Sequence, residues 1–199
     1  MASIFLASWE ICLDEYISIW HSRWTCIGWI FCPQKTHPFG NEWHTACCAL
    51  PIILFVVELT EGKEHPRQSS PLEFEDLGGK TVGLLLHMMK SYFATGRYVI
   101  LDSGFRVLKG LINLRKKDVF ACAVINKRIY WPAMVPGKDM EDHFWELEVG
   151  ETDAIQGTVD GGTYNLWWIK EPNYVMRMIA TDGRILADEI CKETVRIWK

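Results

Sequence analysis

Three absences narrow the reading of this 199-residue chain before any motif is considered. It has no CxxC pair, and its cysteines are odd in number: Cys12, Cys26, Cys32, Cys47, Cys48, Cys122 and Cys191. That excludes an ordinary disulfide framework and predicts reduced, half-buried thiols in an intracellular protein. It has no long hydrophobic run. The longest, Ile52 to Val57, falls far short of the ~20 residues that span a bilayer. The opening Met1-Ala2-Ser3-Ile4-Phe5-Leu6 is apolar but lacks a cationic stretch and a small-residue cleavage pattern. No membrane association and a nuclear or cytoplasmic location are therefore expected. The chain also lacks a basic excess, with Lys+Arg 21 against Asp+Glu 25 and a net charge of −4. Proteins that grip duplex DNA unaided usually carry one, because phosphate neutralisation supplies most non-specific affinity. Either DNA is not the partner, or the gripping parts lie elsewhere.

What is present describes one well-filled domain. The apolar fraction is 49% and there are 10 tryptophans, enough to build a sizeable core and to exclude disorder. Residues 9–32 read as two strands, the first running from Trp9 to Leu13 and leading into Asp14-Glu15. A turn-rich loop follows, Pro33 to Gly40, then strand material from Trp43 to Leu59 broken by Pro51. Val82, Leu85, Leu86, Met89 and Phe93 fall at helical spacing and predict a helix from about Lys80 to Ala94. Tyr98 to Leu101 reads as a buried strand, Phe105 to Lys117 as a second amphipathic helix, and Val119 to Ile125 as the next strand. Such alternation predicts a parallel or mixed sheet. From 126 to 199 the pattern is strand and turn, with Asp160-Gly161-Gly162 as a hairpin signal.

Two aspartates stand out, Asp14 and Asp102, each ending a short apolar run that would deliver it to a sheet edge. Paired carboxylates on neighbouring strands can hold a divalent metal over a phosphodiester. The alternative is a turn or helix-capping role, and Asp102 is well placed to cap the helix near Phe105. Glu15 should point to the opposite face and be solvated. Other motifs dissolve on inspection. Gly78-Gly79-Lys80-Thr81 imitates a phosphate-binding loop, but Phe74 stands where the first glycine is needed, so no nucleotide cofactor is expected. Cys32, His37, His44 and Cys47 fit no standard zinc spacing. Trp167-Trp168 reads as packing rather than base stacking.

Four segments, in order, resemble the piggyBac transposase family. They are Leu13-Asp14-Glu15, Cys32-Pro33-Gln34-Lys35-Thr36-His37-Pro38-Phe39-Gly40, Val99-Ile100-Leu101-Asp102-Ser103-Gly104-Phe105-Arg106-Val107-Leu108, and Ala121-Cys122-Ala123-Val124-Ile125-Asn126-Lys127-Arg128. The similarity runs over about residues 10–190. It implies an α/β fold, an RNase H-like mixed sheet of five strands flanked by helices, here with an additional β-rich C-terminal segment. By the same resemblance Asp14 and Asp102 are the first two catalytic, metal-binding acids. Lys35, Lys127 and Arg128 contact nucleic acid, Mg²⁺ or Mn²⁺ is the cofactor, DNA is the partner, and a homodimer is compatible. The family's chemistry is metal-dependent DNA cleavage and strand transfer.

This sequence departs from the family pattern in three places. Thr36 and Pro38 stand where the loop usually has proline and a second lysine, and Ser103 replaces the usual asparagine after the second aspartate. The third aspartate belongs on a helix beyond the residues that match Val175 to Thr194. Residues 1–199 are therefore expected to be one transposase domain that stops before the third carboxylate, a catalytically incomplete fragment. Asp182, Asp188 and Glu189 are substitutes by chemistry alone. The other reading is a domesticated module that binds nucleic acid or protein without chemistry.

Overall fold

The computed structural model describes residues 8–20, 28–33, 35–49, 53–60, 73–125, 137–159 and 161–181. Nine strands form one mixed sheet: β1 (Glu10–Ile19), β2 (Trp29–Phe31), β3 (Phe39–Cys48), β4 (Leu54–Leu59), β5 (Tyr98–Leu101), β6 (Phe120–Val124), β7 (Thr152–Val159), β8 (Gly162–Lys170) and β9 (Val175–Ala180). Their order is β2-β3-β1-β5-β6-β9-β8-β7, with β4 also paired to β3. β1, β5 and β6 run parallel, and the neighbours on both sides are antiparallel. This is the mixed sheet that the resemblance implies. At nine strands it is wider than the expected five; β7, β8 and β9 join the same sheet through β6.

Three α-helices are described: α1 (Lys80–Met89), α2 (Leu108–Lys116) and α3 (Gly137–Glu146). In α1, Val82, Leu85, Leu86 and Met89 form one stripe, and all are buried. The expected continuation to Ala94 is instead a 3₁₀ turn, Lys90–Tyr92. There Ala94 and Gly96, both at positive φ, turn the chain into β5. α2 buries Leu111, Ile112 and Leu114. It lies so close to α1 that a Cβ at Gly110 would come 2.9 Å from Leu85 Cδ2. The helix α3 has no counterpart in the sequence reading, which took this stretch as strand and turn. Its residues are mostly polar, and its described core anchor, Phe144, stacks on Trp168 at 4.1 Å between ring centroids. The β7–β8 hairpin forms where Gly161-Gly162 announced it, with Val159 opposite Gly162.

All three helices pack on one face of the sheet. Ile11, Leu13, Ala46, Val99, Leu101, Ala121, Ala123 and Leu166 meet α1, α2 and Phe144 there. Alternation sends Cys12, Ile100 and Cys122 to the other face, where a smaller cluster gathers around Tyr98, Cys122 and Ala180. No described helix contributes to that cluster. Burial pushes the Cys122 thiol up to about 11, the neighbourhood of Cys12 and Glu10 adding to it and a bond with Tyr98 offsetting part.

The two faces differ in consequence. Leu101→Ala removes a side chain only 2% exposed and is expected to cost about 2–5 kcal/mol in urea unfolding. Ile100→Ala, 39% exposed on the other face, is expected to cost less than about 1.5 kcal/mol. Equal losses would contradict the one-sided core. At pH 8, alkylation of Cys122 in the folded protein should run about a hundredfold slower than in the unfolded chain, from its thiolate fraction alone; mass spectrometry of labelled peptides reads this directly.

Candidate active site

β1 and β5 are brought side by side by their buried residues. Ile11 pairs with Val99 and Leu13 with Leu101. The ladder closes with the Asp102 N–H donating to the Leu13 carbonyl at 3.1 Å. Asp14 and Asp102 are thus the residues that immediately follow the last registered pair. The expectation for Asp14 needs one correction. β1 does not end there but runs on to Ile19, because β3 pairs with it along its whole length, Asp14 opposite Thr45. Asp14 stands at the end of the parallel ladder, not of the strand. Its side chain is exposed, Oδ1 accepts the Glu15 N–H at 2.7 Å, and its carbonyl accepts from the buried Thr45 hydroxyl at 3.3 Å.

Asp102 leaves the sheet in an extended conformation and caps the 3₁₀ turn Ser103–Phe105. Its Oδ2 accepts from the Gly104 N–H at 3.3 Å. The capping role weighed from the sequence is therefore real, but it is this short turn that is capped and not α2. A Cβ at Gly104 would lie 3.3 Å from Glu15 Oε2 and 3.9 Å from Asp102 Oδ2. The missing side chain leaves a cradle bordered by two carboxylates.

Glu15 is not solvated in the way its alternation suggested. It lies on the helix-covered face with Leu13, half-buried. Lys35, carried on the loop between β2 and β3, places its ammonium 3.4 Å from Glu15 Oε1 and 3.3 Å from the Glu15 carbonyl. Across the β1–β3 ladder, His44 is opposite Glu15 and Glu42 opposite Ile17. One ligand atom from each of Glu15, Glu42 and His44 lies within 4.8 Å of the others. His44 Nδ1 is 3.3 Å from the Thr60 hydroxyl, and its ring meets the Phe105 edge at 5.5 Å. Burial pushes the His44 imidazole below its ordinary range, against the opposing pull of Glu42, Glu15 and Glu58. Sequence reasoning missed this grouping, since only the antiparallel register brings Glu15 to His44.

Lys127 and Arg128 lie outside the described residues, as do Asp182, Asp188 and Glu189. Among the described residues Cys32, His37 and Cys47 enter no group able to hold a metal. Trp168 is core, and Trp167 packs half-buried against the smaller cluster. Gly79 caps α1 at positive φ and comes just after the 3₁₀ turn Glu75–Leu77. No described helix is long and apolar enough to cross a membrane.

Parallel strands β1, β5 and β6 at the centre of a mixed sheet, with helices packed on one face, make an α/β fold of the RNase H-like kind. The family model described as Transposase IS4 matches residues 1–196, and the chain belongs to that family. Among solved structures it is similar to piggyBac transposase, seen by cryo-EM in a synaptic complex with hairpin DNA, with a TM-score of 0.67 and 15% identity. The likeness covers 97% of this chain and 38% of that one, and at this identity it is a likeness of fold. No curated protein matches the chain by sequence.

The cap allows structure and chemistry at Asp102 to be separated. Asp102→Ala is expected to lower stability by about 0.5–2 kcal/mol, whereas Asp102→Asn, an equally good cap, should change it by a few tenths. Matching urea midpoints for the two variants would contradict the cap.

Proposed function

We propose that the chain is the catalytic-core portion of a cut-and-paste DNA transposase, one domain over residues 1–199, in which Asp14 and Asp102 are two of the metal-holding acids. The observation that supports this reading is the parallel ladder, whose last pair, Leu13 and Leu101, is followed on each strand by one of the two aspartates, within a chain of the Transposase IS4 family. The donor set fits a hard divalent ion such as Mg²⁺, which takes one or two carboxylates and keeps several waters. The Gly104 cradle leaves room beside Asp102. When bound, such ions activate the attacking oxygen and stabilise the leaving one during phosphodiester cleavage and strand transfer.

The chain's own residues supply position. β1 holds Asp14, Asp102 follows directly on the end of β5, and the Gly104 N–H orients the Asp102 carboxylate. Lys35 shields Glu15, its ammonium neutralising a carboxylate that borders the same cradle. Lys35, Lys127 and Arg128 are assigned to the DNA backbone, Lys35 by exchanging its Glu15 partner for phosphate. Two acids do not complete the chemistry, and this reading assigns the third to residues outside those described. The net charge of −4 supports a division of labour in which other parts of a longer protein hold the DNA. The chain spans 38% of the length of the piggyBac transposase that it resembles in fold. A homodimer acting on nuclear DNA belongs to the same proposal.

At about ten times the dissociation constant, Mg²⁺ should stabilise the protein by about 1.4 kcal/mol at matched ionic strength. For a chain of this size that is a rise of about 2–4 °C in Tm, absent in Asp14→Asn and Asp102→Asn. An undiminished rise in both variants would overturn the assignment. Supercoiled plasmid incubated with the 199-residue protein and Mn²⁺ is expected to stay intact. Nicking that Asp102→Asn abolishes would instead make the chain a complete nuclease, and salt-dependent DNA binding indifferent to both aspartates would favour a non-catalytic module.

A further inference from the structure

We propose that Glu15, Glu42 and His44 form a second cation site, distinct from Asp14 and Asp102, that takes a divalent transition ion. Three features of the geometry lead there. The donors converge from two strands rather than from one exposed loop. Glu15 belongs to β1, Glu42 and His44 to β3, and all three are half-buried on the helix-covered side. Their ligand atoms lie within 4.8 Å of one another, so small rotamer adjustments bring them to the separations around an ion bonded at about 2.1 Å.

The imidazole is also held for the purpose. Its Nδ1 faces the Thr60 hydroxyl at 3.3 Å, at the end of β4. A group outside the donor set thereby fixes the ring and leaves Nε2 as the ligand atom, the usual arrangement behind a metal-bound histidine. The edge contact with Phe105 restricts the ring further. Finally, a cation already sits at the rim. The Lys35 ammonium, half-exposed on its loop, lies 3.4 Å from Glu15 Oε1. It answers one of the two carboxylate charges and can swing into solvent when an ion enters.

The donor chemistry selects the class of ion. Two carboxylates alone would suit Mg²⁺ or Ca²⁺, whereas an imidazole added to them favours a first-row transition ion with water in its open positions. Alternation along β1 puts Asp14 on the opposite face from Glu15, so the two sites do not share that strand face. They meet only at Gly104, where Glu15 Oε2 and Asp102 Oδ2 border one cradle. Filling the second site withdraws the Glu15 charge from the neighbourhood of Asp102 and staples β1 to β3. The site rests on neither aspartate and stands or falls separately from the function proposed above.

The test uses Mn²⁺, which competes weakly for the thiols of this cysteine-containing chain. The full chain carrying both Asp14→Asn and Asp102→Asn is titrated and the free-ion EPR signal followed. One equivalent is expected to bind, with ¹⁴N modulation in the electron spin echo from the His44 imidazole. His44→Ala should abolish the modulation and weaken binding at least tenfold. Glu42→Gln, nearly isosteric, should weaken it about tenfold with an unchanged circular dichroism spectrum, and Lys35→Ala should tighten it severalfold. No bound Mn²⁺ in the double-asparagine protein, or nitrogen modulation that survives His44→Ala, would overturn the proposal. A missing Mg²⁺ shift in the wild-type protein alongside intact Mn²⁺ modulation would count against Asp14 and Asp102 only.

Discussion

The hydrogen bond from the Asp102 amide to the Leu13 carbonyl is the last rung of the only contact that joins the two halves of the sheet's centre, β1 and β5, among the described strands. To one side of that seam the chain builds an antiparallel arm from β1, β2, β3 and β4. To the other it builds β5 and β6, then the antiparallel strands β9, β8 and β7. Everything placed at the strand ends depends on this register. A slip of β1 by one residue would send Leu13 out of the core and carry Asp14 with it, and a slip of β5 would do the same to Leu101. Burial enforces the register, since Ile11, Leu13, Val99 and Leu101 are all at or below 2% exposure in one apolar cluster. The hydrophobic effect thus does the positioning, and the polar groups inherit it.

That inheritance explains why acids of different character can stand so close together. Asp14 faces away from the helices and is exposed, while Glu15, one residue on, is turned toward them and engaged by Lys35. Asp102 escapes the alternation altogether by leaving the strand, its carboxylate bent back onto the Gly104 amide. Strand geometry separates neighbours in sequence, and a tight turn reunites residues that the sheet would have kept apart. Gly104 is the pivot, since any side chain there would fill the space that the Glu15 and Asp102 carboxylates border.

The parts of this arrangement legible in the sequence are those decided by local pattern. Tyr98–Leu101 is a strand because four apolar residues lie between turn signals, and α1 and α2 follow from stripes of leucine, valine and methionine at helical spacing. Both aspartates were visible as the residues that end apolar runs. What was not visible depended on pairing partners. The length of β1 beyond Asp14 comes from β3, paired with it from Ile11 to Ile19; Tyr16, Ile17 and Ile19 suit a strand, but which strand they pair with is not written in them. The engagement of Glu15 with Lys35 and its approach to His44 need the same register. The helix α3 escaped because its hydrophobic signal is thin, a polar segment whose tertiary anchor is the stacking of Phe144 on Trp168. Pattern reasoning sees a residue's own element, and the site is made between elements.

The central place of β1 has a consequence for how the chain is made. β1 is made before its parallel partner β5, which lies far downstream, after β2, β3, β4 and α1. Until residues 98–101 are out, β1 presents a free backbone edge beside Ile11 and Leu13. Such an edge is a template for pairing with other chains. The nascent antiparallel arm is therefore the aggregation-sensitive stage of synthesis, and translational speed through the polar stretch before α1 sets how long it lasts.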